Sequence, residues 1–423
     1  MRYAITGATI DQVKSVGATD IKEARSTGII FATLTEEQAA RLRSQGCTVD
    51  KVGEVRTAVT PPTPVMPPPP LAAVPTYTPE QLVRITGLED LRGISRPPLY
   101  GEGFNLALVD TGIRETHGKI SGHVVYSKNY TSDPMRDGFD HGTGTCSIAL
   151  AVAPLCNILN LKVLNDKGEG TEEEVVLAID DCISLHDTQS EIAPSVINLS
   201  LGSPDDGNPN NILRIACRAA LEKGIWVIAA AGNSGPAPGT MMTPACEKYV
   251  AAVGSAKYLA DQKTFVVSDF SSRGPTLEGL IKPDALLFGE DIDMASSSTD
   301  TATTAKSGTS FATPFASAMA LLLHEGLYRR AVPTQEIAGV YPELGIWYFT
   351  PADLIDKYLI GISIKPQGIP AGKDNNYGCG LPFGPLIAQV LGVSPAVDIS
   401  ALLLPVVAIG MMGMVVSAMM KVV

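Results

Sequence analysis

The 423-residue chain is sparing with charge and with aromatic rings: 18% of its residues are Asp, Glu, Lys or Arg, and 6% are Phe, Trp or Tyr. The charge it has leans negative, 32 basic side chains against 44 acidic ones, for a formal net of -12. That field repels a polyanion and argues against nucleic acid as a partner, while leaving peptides, small molecules and membranes open. Cysteine is scarce and odd in number: seven, with no CxxC pair. A closed disulfide framework is therefore excluded within one chain, and the thiols read as small buried side chains. Also missing are a GxGxxG turn after a first strand, a Walker loop, a GxSxG elbow and any internal repeat. The N-terminus shows no apolar core ahead of a small-residue cleavage site, so no signal peptide is expected. With 45% hydrophobic residues, what remains is a folded chain with a sizeable core.

One run is long and uncharged. Residues 401–420, ALLLPVVAIGMMGMVVSAMM, hold no charge over 20 positions. At about 1.5 Å per residue that length spans a bilayer core, so a C-terminal transmembrane helix and a lipid-bilayer partner are expected, with a buried terminal helix as the alternative. Lys421 beyond the run favours a cytoplasmic far end, whereas a tail anchor without a signal peptide leaves its domain in the cytosol. The side of the membrane stays open.

Five segments follow from the pattern. Residues 1–57 read as a small α/β unit: strand Arg2–Thr6, helix Thr9–Val16, strand Gly28–Thr33, a helix capped by Thr35 with Gln38 in capping-box spacing, and a last strand Cys47–Val55. Residues 58–80 are a linker, since eight of the fifteen residues from Pro61 to Pro75 are proline. Residues 81–392 alternate short apolar strands (106–109, 158–163, 196–199, 226–230, 250–253) with helical stretches (143–152, 171–184, 212–223, 313–322). That is the spacing of a mostly parallel sheet covered on both faces. Residues 393–400 join this domain to the 401–420 helix.

Four short motifs carry chemistry-bearing side chains. The strand Leu106–Val109 delivers Asp110 at its C-terminal end, the edge at which sites form on a parallel sheet. His141, in Asp140-His141-Gly142-Thr143, opens a helix among small neighbours; the other four histidines lack such surroundings. Asn233 follows the small-residue strand end Ala229–Gly232, from where its amide can donate to a developing oxyanion. Ser310, in Gly308-Thr309-Ser310-Phe311-Ala312-Thr313-Pro314, sits at the free N–H end of an apolar helix. Taken singly, each has a plainer reading: strand-end Asp, turn Asn, helix-capping Ser. Together they supply a nucleophile, a base, a carboxylate to orient the base, and an amide donor.

With those motifs in hand the chain resembles the subtilisin-like serine proteases, the subtilase family, over roughly residues 90–390. The resemblance implies a subtilisin-like three-layer α/β fold with a mostly parallel central sheet. It makes Asp110, His141 and Ser310 the catalytic triad, with Asn233 in the oxyanion hole. It assigns Gly168, Glu169 and Gly170 to the segment that pairs with bound peptide, and Ser200, Leu201 and Gly202 to one wall of the pocket beside the scissile bond. Residues 1–57 resemble, more distantly, the family's inhibitory propeptide. Self-cleavage is then expected between about Arg56 and Glu80, with the chain's own N-terminal domain as an intramolecular inhibitor and polypeptide as substrate.

No cofactor is implied for the chemistry. Calcium is a common structural ion in the family, and no oxygen ligands for it are assignable here; Asp133, Asp137 and Asp140 read as solvated loop charges. Gly144 stands where the family pattern has a second His, and Leu287-Phe288-Gly289 where it often has Ala-Pro-Gly. With no acidic residue at its floor, the pocket for the residue before the scissile bond reads as apolar or broad. The function implied is a membrane-anchored serine endopeptidase made as a self-processing zymogen. The alternatives are a catalytically silent scaffold acting as a binding protein, and an enzyme that acts only on its own propeptide or an assembly partner.

Overall fold

The computed structural model describes residues 1–58, 75–89, 98–329 and 363–384. Most of the proline-rich linker, residues 393–400 and the apolar run 401–420 lie outside them. Among the described residues, no helix is long and apolar enough to cross a membrane.

The N-terminal unit comprises β1 (Arg2–Thr6), α1 (Ile10–Ser15), β2 (Thr19–Ala24), β3 (Ile29–Thr33), α2 (Glu36–Ser44) and β4 (Thr48–Lys51). Its antiparallel sheet has the order β2-β3-β1-β4. Period-2 alternation divides the side chains between two faces. Tyr3, Ile5, Ile30 and Ala32 join Val13 and Leu42 of the two helices in the unit's own core. Ala4, Phe31, Ile29 and Ala24 face the other way and merge with the core of the larger body. The last strand expected here, Cys47–Val55, is in fact two. The chain breaks at Val52-Gly53 and continues as β5 (Glu54–Thr57), which leaves its own sheet.

The larger body opens with α3 (Pro79–Ile85), which straddles the expected boundary at 80/81. There follow β6 (Asn105–Asp110), β7 (Val124–Asn129), α4 (Gly142–Val152), β8 (Asn157–Lys162), β9 (Glu169–Thr171), α5 (Glu172–Asp187), β10 (Val196–Leu199) and β11 (Leu201–Pro204). Next come α6 (Ile212–Glu222), β12 (Trp226–Ala230), β13 (Met242–Thr243), β14 (Ala251–Leu259), β15 (Thr264–Val267), β16 (Ala285–Phe288), β17 (Ile292–Ala295), β18 (Thr303–Lys306) and α7 (Thr309–Arg329). The central sheet has the order β15-β14-β12-β10-β6-β8-β7, with β16 also on β14; its pairs are parallel except for the β14–β15 hairpin.

Its inner strands are buried and largely apolar because both faces are covered, whereas the edge strand β7 is half-exposed. In β6, Leu106 and Leu108 pack on the side of α4 and α7, while Ala107 and Val109 pack on the side of α5 and α6. This is the three-layer α/β arrangement expected from the sequence. All seven cysteines are free and buried. Burial pushes the Cys156 and Cys246 thiols up to about 12, so they remain protonated and inert.

Candidate active site

Asp110, His141, Asn233 and Ser310 are brought together where β6 and β12 end and where α4 and α7 begin. Asp110 is buried; its Oδ1 accepts from the Thr111 backbone N–H at 2.7 Å and from His141 Nδ1 at 2.6 Å. Its Oδ2 accepts from Thr145 Oγ1 at 3.2 Å. His141 is fully buried and stands just ahead of α4. Gly142 is required beside it, since any Cβ there would run into the Gly112 carbonyl oxygen.

The histidine is held by a residue that sequence reading passed over. Asp137, expected as a solvated loop charge, is buried. It accepts from the His141 N–H at 3.0 Å, the Thr143 N–H at 2.8 Å and Thr111 Oγ1 at 2.8 Å. The signal lay in its spacing: an acid a few residues ahead of a helix start satisfies free N–H groups there. Asp133 and Asp140 are engaged as well. Asp133 accepts from the Asp166 N–H at 2.7 Å; Asp140 accepts from the Ser297 N–H at 2.6 Å and pairs with Lys306 at 3.2 Å. Each of these carboxylates is thus engaged by protein donors, which disfavours the three as a set of calcium ligands. Among the described residues, no group of three or more His, Cys, Asp or Glu side chains is disposed to hold a metal ion.

Ser310 sits in the first turn of α7. Its Oγ donates to the Ser200 carbonyl at 2.9 Å, and Ser200 Oγ donates back to the Ser310 carbonyl at 2.8 Å. No hydrogen bond joins Ser310 Oγ to His141, whose Nε2 has no partner among the described residues. Asn233 is oriented by Thr309: its Oδ1 accepts from the Thr309 N–H at 2.9 Å and from Thr309 Oγ1 at 3.0 Å. This leaves Nδ2 to point into the cleft.

The cleft is filled by the chain's own β5. It lies antiparallel between β9 (Val55 opposite Gly170, Arg56 opposite Glu169) and β11 (Thr57 opposite Leu201, Arg56 opposite Gly202). The Thr57 N–H donates to the Gly168 carbonyl at 3.2 Å, and the Ala58 N–H to the Ser200 carbonyl at 3.3 Å. The Ala58 carbonyl oxygen then accepts from the Ser310 backbone N–H at 3.3 Å and, more closely, from Asn233 Nδ2. Two donors converge on that one oxygen. All six residues of the two expected peptide-pairing segments therefore flank β5. Sequence reading did not single out Ala58.

A buried carboxylate–imidazole pair, a serine at a helix start and paired donors on one carbonyl are the kinds of group from which serine-nucleophile chemistry is assembled on an α/β scaffold. Comparison with known proteins narrows the class. The profile of the subtilase family matches residues 101–340, and the chain belongs to that family. It is 31% identical over 255 residues to "Serine protease AprX" of Bacillus subtilis (strain 168), covering 53% of this chain and 58% of that one. It is 31% identical over 244 residues to "Subtilisin" of Bacillus sp. (strain TA39), covering 52% and 56% respectively. The chain thus spans a little over half the length of these curated relatives. Among solved structures, "Sphericase" superposes with a TM-score of 0.55 at 24% identity over 70% of this chain and 97% of that one, a likeness of fold.

Proposed function

We propose that the chain is a serine endopeptidase made as a zymogen, which cuts itself between Ala58 and Val59. The observation that carries this is the Ala58 carbonyl held between the Ser310 N–H and the Asn233 amide, at the end of a strand paired on both sides within the cleft. Peptide substrate would take the place of β5, along Gly168–Gly170 and Ser200–Gly202.

Ser310 Oγ turns from the Ser200 carbonyl toward His141 Nε2, which takes its proton. The oxygen attacks the Ala58 carbonyl carbon. The Ser310 N–H and Asn233 Nδ2 stabilise the oxyanion, and Asp110 holds the imidazolium at Nδ1. His141 then passes the proton to the Val59 nitrogen as the C–N bond breaks, and afterwards activates the water that releases the acyl group. No step needs a metal or organic cofactor. The unit before β5 acts as the intramolecular inhibitor, and the uncharged run 401–420 attaches the enzyme to a bilayer.

Intact mass and N-terminal sequence of the full chain and of Ser310→Ala test the reading. The expected wild-type products are residues 1–58 and a chain beginning at Val59, with Ser310→Ala left whole. A wild type that stays whole, and whose serine also ignores a phosphonate probe, overturns it. Occupation of the cleft by the chain's own strand favours one second reading, an enzyme confined to its own N-terminal segment. Turnover of a peptide library by the processed chain counts against that.

A further inference from the structure

The geometry points to Met242 as the residue that sets specificity, by closing the pocket for the side chain before the scissile bond to all but small residues. This rests on the protease reading and deepens it. That side chain belongs to Ala58, which is almost completely buried. The two walls beside it are β11, which pairs with β5 through Leu201 and Gly202, and the end of β12 with Gly232, next to the Asn233 that holds the Ala58 carbonyl. Each wall carries a glycine, which in a sequence reads as room for a large side chain, although the Thr243 carbonyl oxygen also stands 2.4 Å from a Cβ built on Gly202.

The room is taken. β13 lies on the far side of β11, with Met242 opposite Pro204, and the Met242 N–H donates to the Ala231 carbonyl at 3.0 Å. From there its side chain runs across the gap. A Cβ built on Gly232 would stand 2.5 Å from Met242 Cγ and 2.7 Å from Sδ; one built on Gly202 would stand 2.9 Å from Met242 Cε. The same thioether thus lies against both glycines, from its Cγ at one wall to its methyl at the other.

On this inference the methyl group of Ala58 is accommodated, whereas a leucine or phenylalanine would compete with Met242 for the volume beside Gly202 and Gly232. Overpacking of such a site carries a penalty equivalent to roughly 10- to 100-fold in rate. With this inference the expectation from sequence, an apolar or broad pocket, narrows to a small apolar one. The substrate class is polypeptide with Ala, or another residue of that size, before the cut bond.

The test exchanges volume between the two sides in the full chain. Release of the N-terminal fragment is followed by intact mass for wild type, Ala58→Phe, Met242→Gly and the double variant. Ala58→Phe is expected to slow self-cleavage at least 10-fold, and Met242→Gly to restore most of that rate in the double variant. The processed wild type should favour Ala over Phe in otherwise identical peptides by about the same factor, with the order reversed in Met242→Gly. The inference is overturned if Ala58→Phe is cut as fast as wild type, if the processed wild type takes Phe as readily as Ala, or if the double variant is no faster than Ala58→Phe while Met242→Gly alone is active. Failure of the protease reading looks different: no variant is cut, and Ser310 takes up no phosphonate.

Discussion

At the scale of single residues, the site divides into groups that act on the substrate and groups that hold those in place. On the proposed mechanism Asn233 is of the first kind, a side-chain donor to the carbonyl on which negative charge would develop. Asn233→Ala is expected to lower kcat by about 10²–10³-fold with a small change in KM, as measured on peptides with the processed enzyme. Asp137 is of the second kind, a positioning residue that ties two backbone N–H groups at the start of α4 to the Thr111 hydroxyl. Asp137→Ala frees the histidine to shift, and misplacement by about 1 Å costs roughly 10²-fold. Asp137→Asn keeps one acceptor oxygen and should recover part of that rate; equal loss in the two variants would speak against positioning through hydrogen bonds. The difference in legibility has the same origin. Asp110, His141, Asn233 and Ser310 were readable because each stands in a short local pattern of strand end, helix start and glycine. Asp137 carries a fainter local signal, its place a few residues ahead of a helix start, and its remaining donor, the Thr111 hydroxyl, lies 26 residues away in sequence.

At the scale of elements, five strands of the central sheet were legible because burial on both faces makes them largely apolar runs, whereas β7, β15 and β16 were not read. β10 and β12 occupy the residues read from sequence. β2 was not legible: Thr19–Ala24 is exposed and charged along most of its length and becomes a strand only by pairing with β3. α7 begins at Thr309, four residues before the expected start, so Ser310 lies within its first turn. The capping box at Thr35–Gln38 formed as read, and the same device recurs unread at Thr9–Gln12 and Thr78–Gln81.

Gly144, where the family pattern has histidine, is explained by what packs on its helix. A Cβ there would come 2.5 Å from Met294 Sδ of β17, and Met294 is fully buried. Gly144 is the third residue of α4, and glycine costs up to about 1 kcal/mol relative to alanine within a helix, so propensity alone would make Gly144→Ala mildly stabilising. Overpacking of a tight core costs about 1–3 kcal/mol and outweighs it. Gly144→Ala is therefore expected to be destabilising in urea unfolding, and the added Met294→Ala to relieve the clash so that the two changes are non-additive. A stabilised Gly144→Ala would mean that Met294 moves aside at no cost.

At the scale of the whole molecule, the proposed self-cleavage raises the question of what would keep the N-terminal unit in place afterwards. Three kinds of contact hold it. The apolar face of its sheet, with Ala4, Ile29 and Phe31, merges with the core around α5 and α6. Strand β5 fills the cleft, with Val55 fully buried. Charged groups then line the seam: Glu173 accepts from Arg2 Nη2 at 2.7 Å and pairs with Lys22 at 2.9 Å, while Asp180 accepts from the Ser26 N–H at 2.7 Å and the Thr27 N–H at 3.0 Å.

The two carboxylates respond to acid with opposite signs. Burial raises Asp180, and the neighbouring Asp181 adds to the rise against the two N–H donors. Its contribution to docking therefore grows as pH falls through its raised value, and is complete at the ordinary Asp value near ~3.9. Burial pushes Glu173 in the same direction, but Arg2 and Lys22 outweigh it and hold the carboxyl below its ordinary value. Its contribution is whole above the ordinary Glu value near ~4.3, and is lost as pH falls through the depressed docked value. Retention of the cleaved 1–58 fragment, followed by size exclusion across a pH series, should hold or strengthen gently down to about pH 4–5 and then collapse below the ordinary carboxylate range. Glu173→Gln should weaken retention at neutral pH, where Arg2 and Lys22 lose their shared partner, and should remove its part of the acid loss. Asp180→Asn should leave the acid collapse in place and abolish the gentle strengthening above it. A Glu173→Gln enzyme that keeps its fragment as tightly as wild type at neutral pH would show that the apolar face and β5 hold the unit unaided, and that the seam carries no part of the pH response.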